Sequence, residues 1–97
     1  MIDFEVRNRV ALMTLNRPEA RNAIDGAMTS ALQACLERLE SDDEIWAGIL
    51  AVDGSVFCAG ADLKAVARGE SEHMTTDEGG LFGICALARS KPLLAVV

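Results

Sequence analysis

The sequence predicts an α/β fold, and three patterns lead to this prediction. The chain opens with two short extended runs, residues 2–7 and 10–15, of which the first alternates apolar and charged side chains. A stretch with apolar residues at helical spacing follows, and it leads to an apolar extended run at residues 47–52. Another apolar run lies at residues 93–97. Strands that alternate with helices are typical of a parallel sheet whose strands are joined by crossovers.

The first two extended runs predict a β-hairpin. Asn8 and Arg9 lie between them and predict a tight turn. The hairpin ends near Pro18, because proline has no N–H to donate to a sheet and disfavours helical angles in the preceding residue. Residues 18–24 are predicted to form a loop, with Asp25 as the N-cap of the helix that follows.

The helix after this cap is predicted to be structural. Its apolar residues form one face, which we expect to pack on the sheet: Met28, Ala31, Leu32, Cys35, Leu36 and Leu39. A polar cluster at residues 41–44 ends the helix, and the strand at residues 47–52 follows.

A crossover is predicted between this strand and a parallel strand at residues 93–97. We expect it to contain a turn of small residues, a short helix over about residues 62–67, a polar loop and a helix over about residues 78–89. The last helix is predicted from apolar residues at helical spacing: Leu81, Ile84, Cys85 and Ala88. The strand at 93–97 is a continuous apolar run, which predicts burial on both faces.

The charge and cysteine content limit the possible partners. The net charge is −6, from 15 acidic and 9 basic residues, and there is no basic run. This charge disfavours nucleic acid and anionic membranes as partners. No stretch at the start of the sequence shows the charged start, long apolar middle and small-residue cleavage site typical of a leader peptide, and no apolar run approaches about 18 residues. The three cysteines, Cys35, Cys58 and Cys85, are isolated from one another and indicate a reducing compartment. These features predict a soluble, cytoplasmic protein without a metal site.

The turn from Cys58 to Ala61 is the candidate functional element. It joins an apolar strand to a short helix, where small residues let a ligand approach the backbone N–H groups. When a thioester carbonyl becomes an enolate or a tetrahedral adduct, fixed N–H donors and a helix N-terminus stabilise the negative charge on its oxygen. The turn therefore indicates acyl-thioester chemistry. The alternative is a plain connection, which is the commoner meaning of a glycine-containing bend.

Two motifs favour the functional interpretation. They are NRPEARNA at residues 16–23 and FCAGADLK at residues 57–64. With these motifs in this order, the chain resembles the crotonase superfamily, the enoyl-CoA hydratase and isomerase group, from end to end. The resemblance implies the N-terminal part of a ββα spiral. Because superfamily members are two to three times longer, residues 1–97 are expected to be the N-terminal portion of one domain, truncated at a buried strand.

The resemblance also implies site residues. The backbone N–H matching Ala61 forms half of the superfamily's oxyanion hole, the segment from Ala61 to Lys64 lines the thioester and pantetheine, and the main chain of Ala23 contacts the adenine end. The implied coenzyme A-binding residues are Arg21, Ala23, Ala59, Ala61, Asp62, Leu63 and Lys64. Glu19 stands where many members carry lysine, and Arg21 is the candidate to replace it. The candidate phosphate-binding cations are Arg17, Arg21, Lys64 and Arg68.

The remaining catalytic groups are expected beyond Val97, namely a second oxyanion N–H and paired glutamates. Asp62 is predicted to cap a helix rather than to act as an acid. His73 is predicted to be a solvated loop residue, and Cys58 lacks a histidine base that would make it a nucleophile. The 97-residue chain alone is therefore expected to be inactive.

The leading functional hypothesis is an enzyme that hydrates trans-2-enoyl-CoA to 3-hydroxyacyl-CoA. Isomerase, hydrolase and decarboxylase activities remain alternatives within the superfamily, and a non-catalytic acyl-CoA binder is the alternative outside catalysis. The resemblance implies coenzyme A as part of the substrate, no permanently bound cofactor, and assembly into trimers or pairs of trimers.

Overall fold

A computed structural model describes all of residues 1–97. Its elements in chain order are β1 (Ile2–Arg7), β2 (Val10–Leu15), α1 (Gly26–Ser41), β3 (Ala47–Val52), α2 (Leu63–Ala67), β4 (Thr75–Thr76), β5 (Gly80–Leu81) and β6 (Leu93–Ala95). Short 3-10 helices lie at Pro18–Ala20 and Ser71–Met74. No helix combines the length and apolar content needed to cross a membrane.

The main sheet has four strands in the order β1-β2-β3-β6. β1 and β2 form an antiparallel hairpin, and β3 pairs in parallel with both β2 and β6. The predicted α/β fold, with a hairpin followed by parallel strands, is therefore confirmed. The hairpin turn is also confirmed at Asn8 and Arg9, whose φ angles of 49° and 66° suit a tight turn that matches the strand twist.

Helix α1 covers one face of this sheet. The Asp25 carboxylate accepts a hydrogen bond from the Met28 N–H at 2.8 Å, which confirms the predicted N-cap. The buried residues of the helix are Met28, Thr29, Leu32, Leu36 and Leu39. The four apolar residues among them pack with alternate residues of β2, namely Ala11, Met13 and Leu15. The predicted apolar face is thus confirmed, with Ala31 and Cys35 half-buried at its edge.

The predicted helix over residues 78–89 is wrong. The chain forms β5, which pairs antiparallel with β4, and then a series of turns. Gly80, Phe82 and Gly83 have φ angles of 68°, 57° and 75°, which a right-handed helix does not contain. Gly79 also lies against the Gly83 backbone, so that a Cβ at residue 79 would be 2.7 Å from the Gly83 Cα. Three glycines in five residues outweigh the apolar spacing, since each glycine costs about 1 kcal/mol in a helix.

The strand at the end of the chain is confirmed in position but not in burial. β6 is parallel to β3 and forms an edge of the sheet. Leu93 packs against the core, whereas Leu94 is 64% exposed. The prediction of burial on both faces is therefore wrong for residues 1–97, because neither a further strand nor a helix of this chain covers β6.

Candidate functional site

The two sequence motifs meet in the structure. Ile24 and Ala61 form an isolated parallel bridge, in which the Ile24 N–H donates to the Gly60 carbonyl at 2.7 Å and the Asp62 N–H donates to the Ile24 carbonyl at 2.8 Å. The Ala59 N–H also donates to the Arg21 carbonyl at 3.0 Å. The turn at residues 58–61 is therefore fixed along its length to residues 21–24.

The Ala61 N–H is unpaired, whereas the amides beside it are hydrogen-bonded. The Gly60 N–H donates to Cys58 Sγ at 3.4 Å and the Asp62 N–H donates to Ile24, but the Ala61 N–H has no acceptor within the chain. In a parallel bridge the middle residue directs its own N–H away from the partner strand. Ala61 therefore holds a free amide donor on a backbone that its neighbours fix in place.

Gly60 supplies the backbone geometry of this turn. Its φ angle is 94°, in the region that favours glycine, and a Cβ at this position would meet no atom within 4 Å. The glycine is therefore required for its backbone angle and not for space.

Asp62 begins helix α2, as predicted. Its Oδ1 accepts hydrogen bonds from the Lys64 N–H at 2.9 Å and the Ala65 N–H at 3.2 Å. Its Oδ2 accepts a hydrogen bond from Arg17 Nη2 at 2.8 Å. The hydrogen bond from Arg17 and those from the two amides hold the pKa of the Asp62 carboxyl below its usual value. Asp62 is thus an ionised helix cap and a poor proton donor.

Arg17 connects the two motifs. Besides Asp62, its guanidinium donates from Nη1 to the Ala23 carbonyl at 2.9 Å and lies 3.5 Å from the Asp25 carboxylate. Arg68, a second candidate cation, pairs with Glu70. Arg21 and Lys64 form no ion pair in the chain, and they are the candidates whose charge is free for a ligand.

Sequence reasoning missed the structural role of Asn22. Its side chain is fully buried, with Oδ1 accepting from the Arg17 N–H at 2.8 Å and Nδ2 donating to the Asp53 carbonyl at 3.0 Å and the Val56 carbonyl at 2.9 Å. Its φ angle of 55° is one that asparagine tolerates better than most residues. Asn22 thus ties the first motif to the segment that precedes the turn.

A cleft of about 500 Å³ opens beside the turn. It is lined by Arg17, Glu19, Ala20, Arg21, Ala23, Ala59, Asp62, Leu63 and Lys64. Of the seven residues predicted to bind coenzyme A, Ala61 alone is outside this lining. The Leu63 side chain, which is 79% exposed, gives the cleft an apolar surface next to its two free cations.

The remaining candidate residues are His73 and the three cysteines. His73 is exposed, as predicted, although it belongs to a 3-10 helix rather than to a loop. Cys35 is half-buried on α1, where burial raises the pKa of its thiol. Cys58 is half-buried in the turn. Cys85 is exposed and not on a helix, which corrects its predicted position.

Comparison with known proteins identifies the family. Residues 5–97 match the sequence model described as Enoyl-CoA hydratase/isomerase. The chain belongs to the enoyl-CoA hydratase/isomerase family. This family is the crotonase group that the two motifs indicated, so the predicted resemblance is confirmed.

Relatives in the enoyl-CoA hydratase/isomerase family have several named activities. The chain is 38% identical to a mevalonyl-coenzyme A hydratase of Aspergillus fumigatus over 92 residues, which cover 91% of this chain and 33% of the relative. It is 35% identical to a 2,3-dehydroadipyl-CoA hydratase of Escherichia coli over 91 residues, which cover 94% of this chain and 36% of the relative.

Solved structures of the family share the fold. The crystal structure of carnitinyl-CoA hydratase from Mycobacterium avium matches with a TM-score of 0.86 and 42% identity, covering 97% of this chain and 37% of that one. The chain thus spans about a third of the length of these relatives.

Proposed function

We propose that residues 1–97 supply one oxyanion-hole donor and part of the coenzyme A cleft of an enzyme that hydrates trans-2-enoyl-CoA to 3-hydroxyacyl-CoA. The observation that carries the proposal is the free Ala61 N–H, fixed by its neighbours beside a cleft lined by the second motif.

Hydration explains why such a donor is useful. Water adds its hydroxyl to C3 of the enoyl thioester, and the electrons of the double bond move towards the thioester oxygen. The resulting enolate carries negative charge on that oxygen until a proton reaches C2. An amide already aimed at the oxygen stabilises the enolate without reorganisation, and one such donor contributes about 2.7–4 kcal/mol to lowering the barrier.

The charges in the cleft are suited to coenzyme A. Because the chain has a net charge of −6, its overall field repels a polyanion, and phosphate binding depends on local cations. Arg21 and Lys64 both line the cleft without an internal carboxylate partner. We assign them to the coenzyme A phosphates, with Leu63 against the pantetheine chain and Ala59 and the Ala23 main chain lining the rest.

The proton-transfer groups lie outside residues 1–97 in this proposal. Hydration needs one group that takes a proton from water and one that delivers a proton to carbon. The carboxylates that line the cleft are Glu19 and Asp62, and Asp62 is held ionised by Arg17 and two amides. We therefore expect the chain alone to bind acyl-CoA without turnover, and the complete protein to catalyse hydration.

The same donor serves the other reactions that the sequence left open. Isomerases, hydrolases and decarboxylases acting on acyl-CoA also place negative charge on the thioester oxygen, and a non-catalytic binder would retain the donor without an acid and base. The relatives' names include mevalonyl, dehydroadipyl and carnitinyl thioesters, so these names do not indicate a single acyl group.

We also propose that the complete protein assembles into trimers or pairs of trimers. Sedimentation of the complete protein tests this assembly.

Two measurements on the complete protein test the proposed function. The loss of absorbance of the conjugated thioester of crotonyl-CoA reports hydration directly, and we expect it to depend on enzyme concentration. Calorimetric titration with butyryl-CoA, which has no double bond to hydrate, reports binding. Binding without turnover of crotonyl-CoA would favour a different reaction or a binder, and the absence of both would reject the proposal.

A further inference from the structure

We propose that Arg17 is a positioning residue that acts through Asp62 to hold the Ala61 amide in its working orientation. This inference rests on the proposed function, because it assigns Arg17 to the same oxyanion donor. It differs from the sequence-based expectation, in which Arg17 was a candidate for direct contact with phosphate.

The contacts of Arg17 span three separate parts of the site. Nη1 donates to the Ala23 carbonyl at 2.9 Å, and Nη2 donates to Asp62 Oδ2 at 2.8 Å and lies 3.5 Å from Asp25 Oδ2. The guanidinium is planar, so bonds from both terminal nitrogens fix its orientation. Its side chain is 21% exposed, which leaves it little freedom to reach an incoming ligand instead.

Asp62 transmits this constraint to the turn. Its Oδ2 is held by Arg17, while its Oδ1 accepts the Lys64 and Ala65 amides at the start of α2. Its own N–H belongs to the peptide that follows Ala61 and is bound to the Ile24 carbonyl. Rotation of the Asp62 carboxylate would therefore shift α2 and the peptide next to the Ala61 donor.

Arg17 is needed for its positive charge as well as for its hydrogen-bond geometry. The Asp25 and Asp62 carboxylates both lie within 3.5 Å of Arg17 Nη2. Without the guanidinium, two like charges would face each other at the junction of the two motifs, which disfavours the ionised pair. Each carboxylate also caps a helix, so the repulsion would act on the starts of both α1 and α2.

A lysine cannot reproduce these contacts. Its ammonium group is a compact charge and has no fork to bridge the Ala23 carbonyl and the Asp62 carboxylate together. Arg17→Lys is therefore expected to restore charge balance but only part of the activity, between the wild type and Arg17→Gln.

The test compares variants of the complete protein in steady-state kinetics and in infrared spectroscopy of bound butyryl-CoA labelled with ¹³C at the thioester carbonyl. For Arg17→Gln we expect kcat for crotonyl-CoA hydration to fall about 100-fold, as for a misplaced catalytic group. KM is expected to stay within about twofold, because the ligand-binding contacts remain. The carbonyl stretching frequency of the bound thioester should move towards its value in solution.

Arg9→Gln is the matched control. Arg9 also bonds to a carboxylate, that of Glu44 at 2.9 Å, but it lies at the hairpin turn away from the cleft. We expect its kcat and carbonyl frequency to equal those of the wild type. Asp62→Asn is a second variant in case Arg17→Gln folds poorly, since asparagine still caps a helix but loses the ion pair. It should lower kcat and shift the carbonyl frequency in the same direction.

Each outcome decides between defined alternatives. A wild-type carbonyl shift that is retained in Arg17→Gln and Asp62→Asn would reject the role of Arg17 and leave the proposed function intact. A raised KM with unchanged kcat would show direct ligand contact instead. Binding of butyryl-CoA to the wild type without any carbonyl shift would reject the oxyanion assignment itself, and the inference about Arg17 with it.

Discussion

Two regions of the chain are held in place in different ways. The junction of the two motifs, residues 16–25 with 58–65, is fixed by directional contacts: a parallel bridge, two helix caps, the buried Asn22 amide and the Arg17 guanidinium. Residues 78–95 instead form turns, a short strand and an edge strand, and several of their apolar side chains are exposed. The first region thus holds its backbone groups in fixed positions, as the proposed oxyanion donor requires.

Polar contacts join residues 90–91 to the C-terminal end of α1. Lys91 Nζ donates to the carbonyls of Leu39 and Asp42 at 2.6 and 2.7 Å, which caps the C-terminus of α1. The Glu40 carboxylate accepts from the Ser90 N–H at 3.0 Å and the Ser90 hydroxyl at 2.7 Å. These contacts bring the chain back to the sheet before β6, so a few polar groups set its path.

The largest stability effect is expected at Gly79. In Gly79→Ala the new methyl group would overlap the Gly83 backbone, which cannot move without disturbing the turns around it. We expect the free energy of unfolding to fall by about 3 kcal/mol in denaturant titrations. In Gly69→Ala, where φ is 77° but the space is open, the loss should be only about 1 kcal/mol. Equal losses would show that the close approach at Gly79 is unimportant.

A comparison of Gly60 with Gly69 separates an effect on catalysis from an effect on stability. Gly60→Ala and Gly69→Ala both place a methyl group in open space at a positive φ, so we expect similar losses of stability. Only Gly60→Ala should disturb the Ala61 donor, lowering kcat of the complete protein about 100-fold, or about 2.7 kcal/mol. Kinetics on the two purified variants distinguish the effects. Equal kcat values in the two variants would contradict a catalytic role for the turn.

Asn22 tests whether buried polar contacts stabilise the motif junction. Asn22→Ala leaves the Asp53 and Val56 carbonyls without their donor, and it removes the acceptor of the Arg17 N–H. We expect unfolding free energy to fall by about 2 kcal/mol, the usual cost of buried unsatisfied groups. Thermal and denaturant unfolding measure this. A change below about 0.5 kcal/mol, typical of surface sites, would contradict the assigned role.

The smallest expected effect concerns pH. The Ser90 hydroxyl lowers the pKa of Glu40, as Arg17 lowers the pKa of Asp62. A carboxyl whose pKa is lower in the folded state stabilises the fold above about pH 4, and this contribution is lost as the pH falls through the folded-state pKa. In Ser90→Ala we expect the Glu40 pKa to rise towards its ordinary value while that of Asp62 stays low. Carboxyl-carbon NMR titrations check both, and a simultaneous rise would contradict independent control of the two groups.

The two regions also differ in how far sequence predicts them. The hairpin, the Asp25 cap, α1, β3 and α2 follow from local patterns, because each depends on neighbouring residues. At residues 78–89 the apolar spacing favoured a helix, and the backbone angles of the glycines and Phe82 overrode it. The exposure of Leu94 on β6 depends on what packs against the sheet, which local spacing does not contain.

At the candidate site, too, local sequence patterns did not predict contacts between distant parts of the chain. Six of the seven residues predicted to bind coenzyme A line the cleft, and the Asp62 cap was predicted from its place at the start of α2. Neither the motifs nor the spacing predicted that Arg17 pairs with a carboxylate 45 residues away, because periodicity holds no information on such contacts. The contacts of Asn22 with Asp53 and Val56 were likewise not predicted. Its left-handed backbone angle was easier to foresee, because asparagine in a loop favours such an angle.

We propose that the Ala61 amide donates a hydrogen bond to the thioester carbonyl. Its most direct test is the NMR signal of that amide in the complete protein, labelled with ¹⁵N-alanine and titrated with butyryl-CoA. We expect the Ala61 amide proton to move downfield more than any other alanine amide proton, while that of Ala34, on the exposed face of α1, stays unchanged. Binding of butyryl-CoA without any change in the Ala61 amide signal would reject this hydrogen bond.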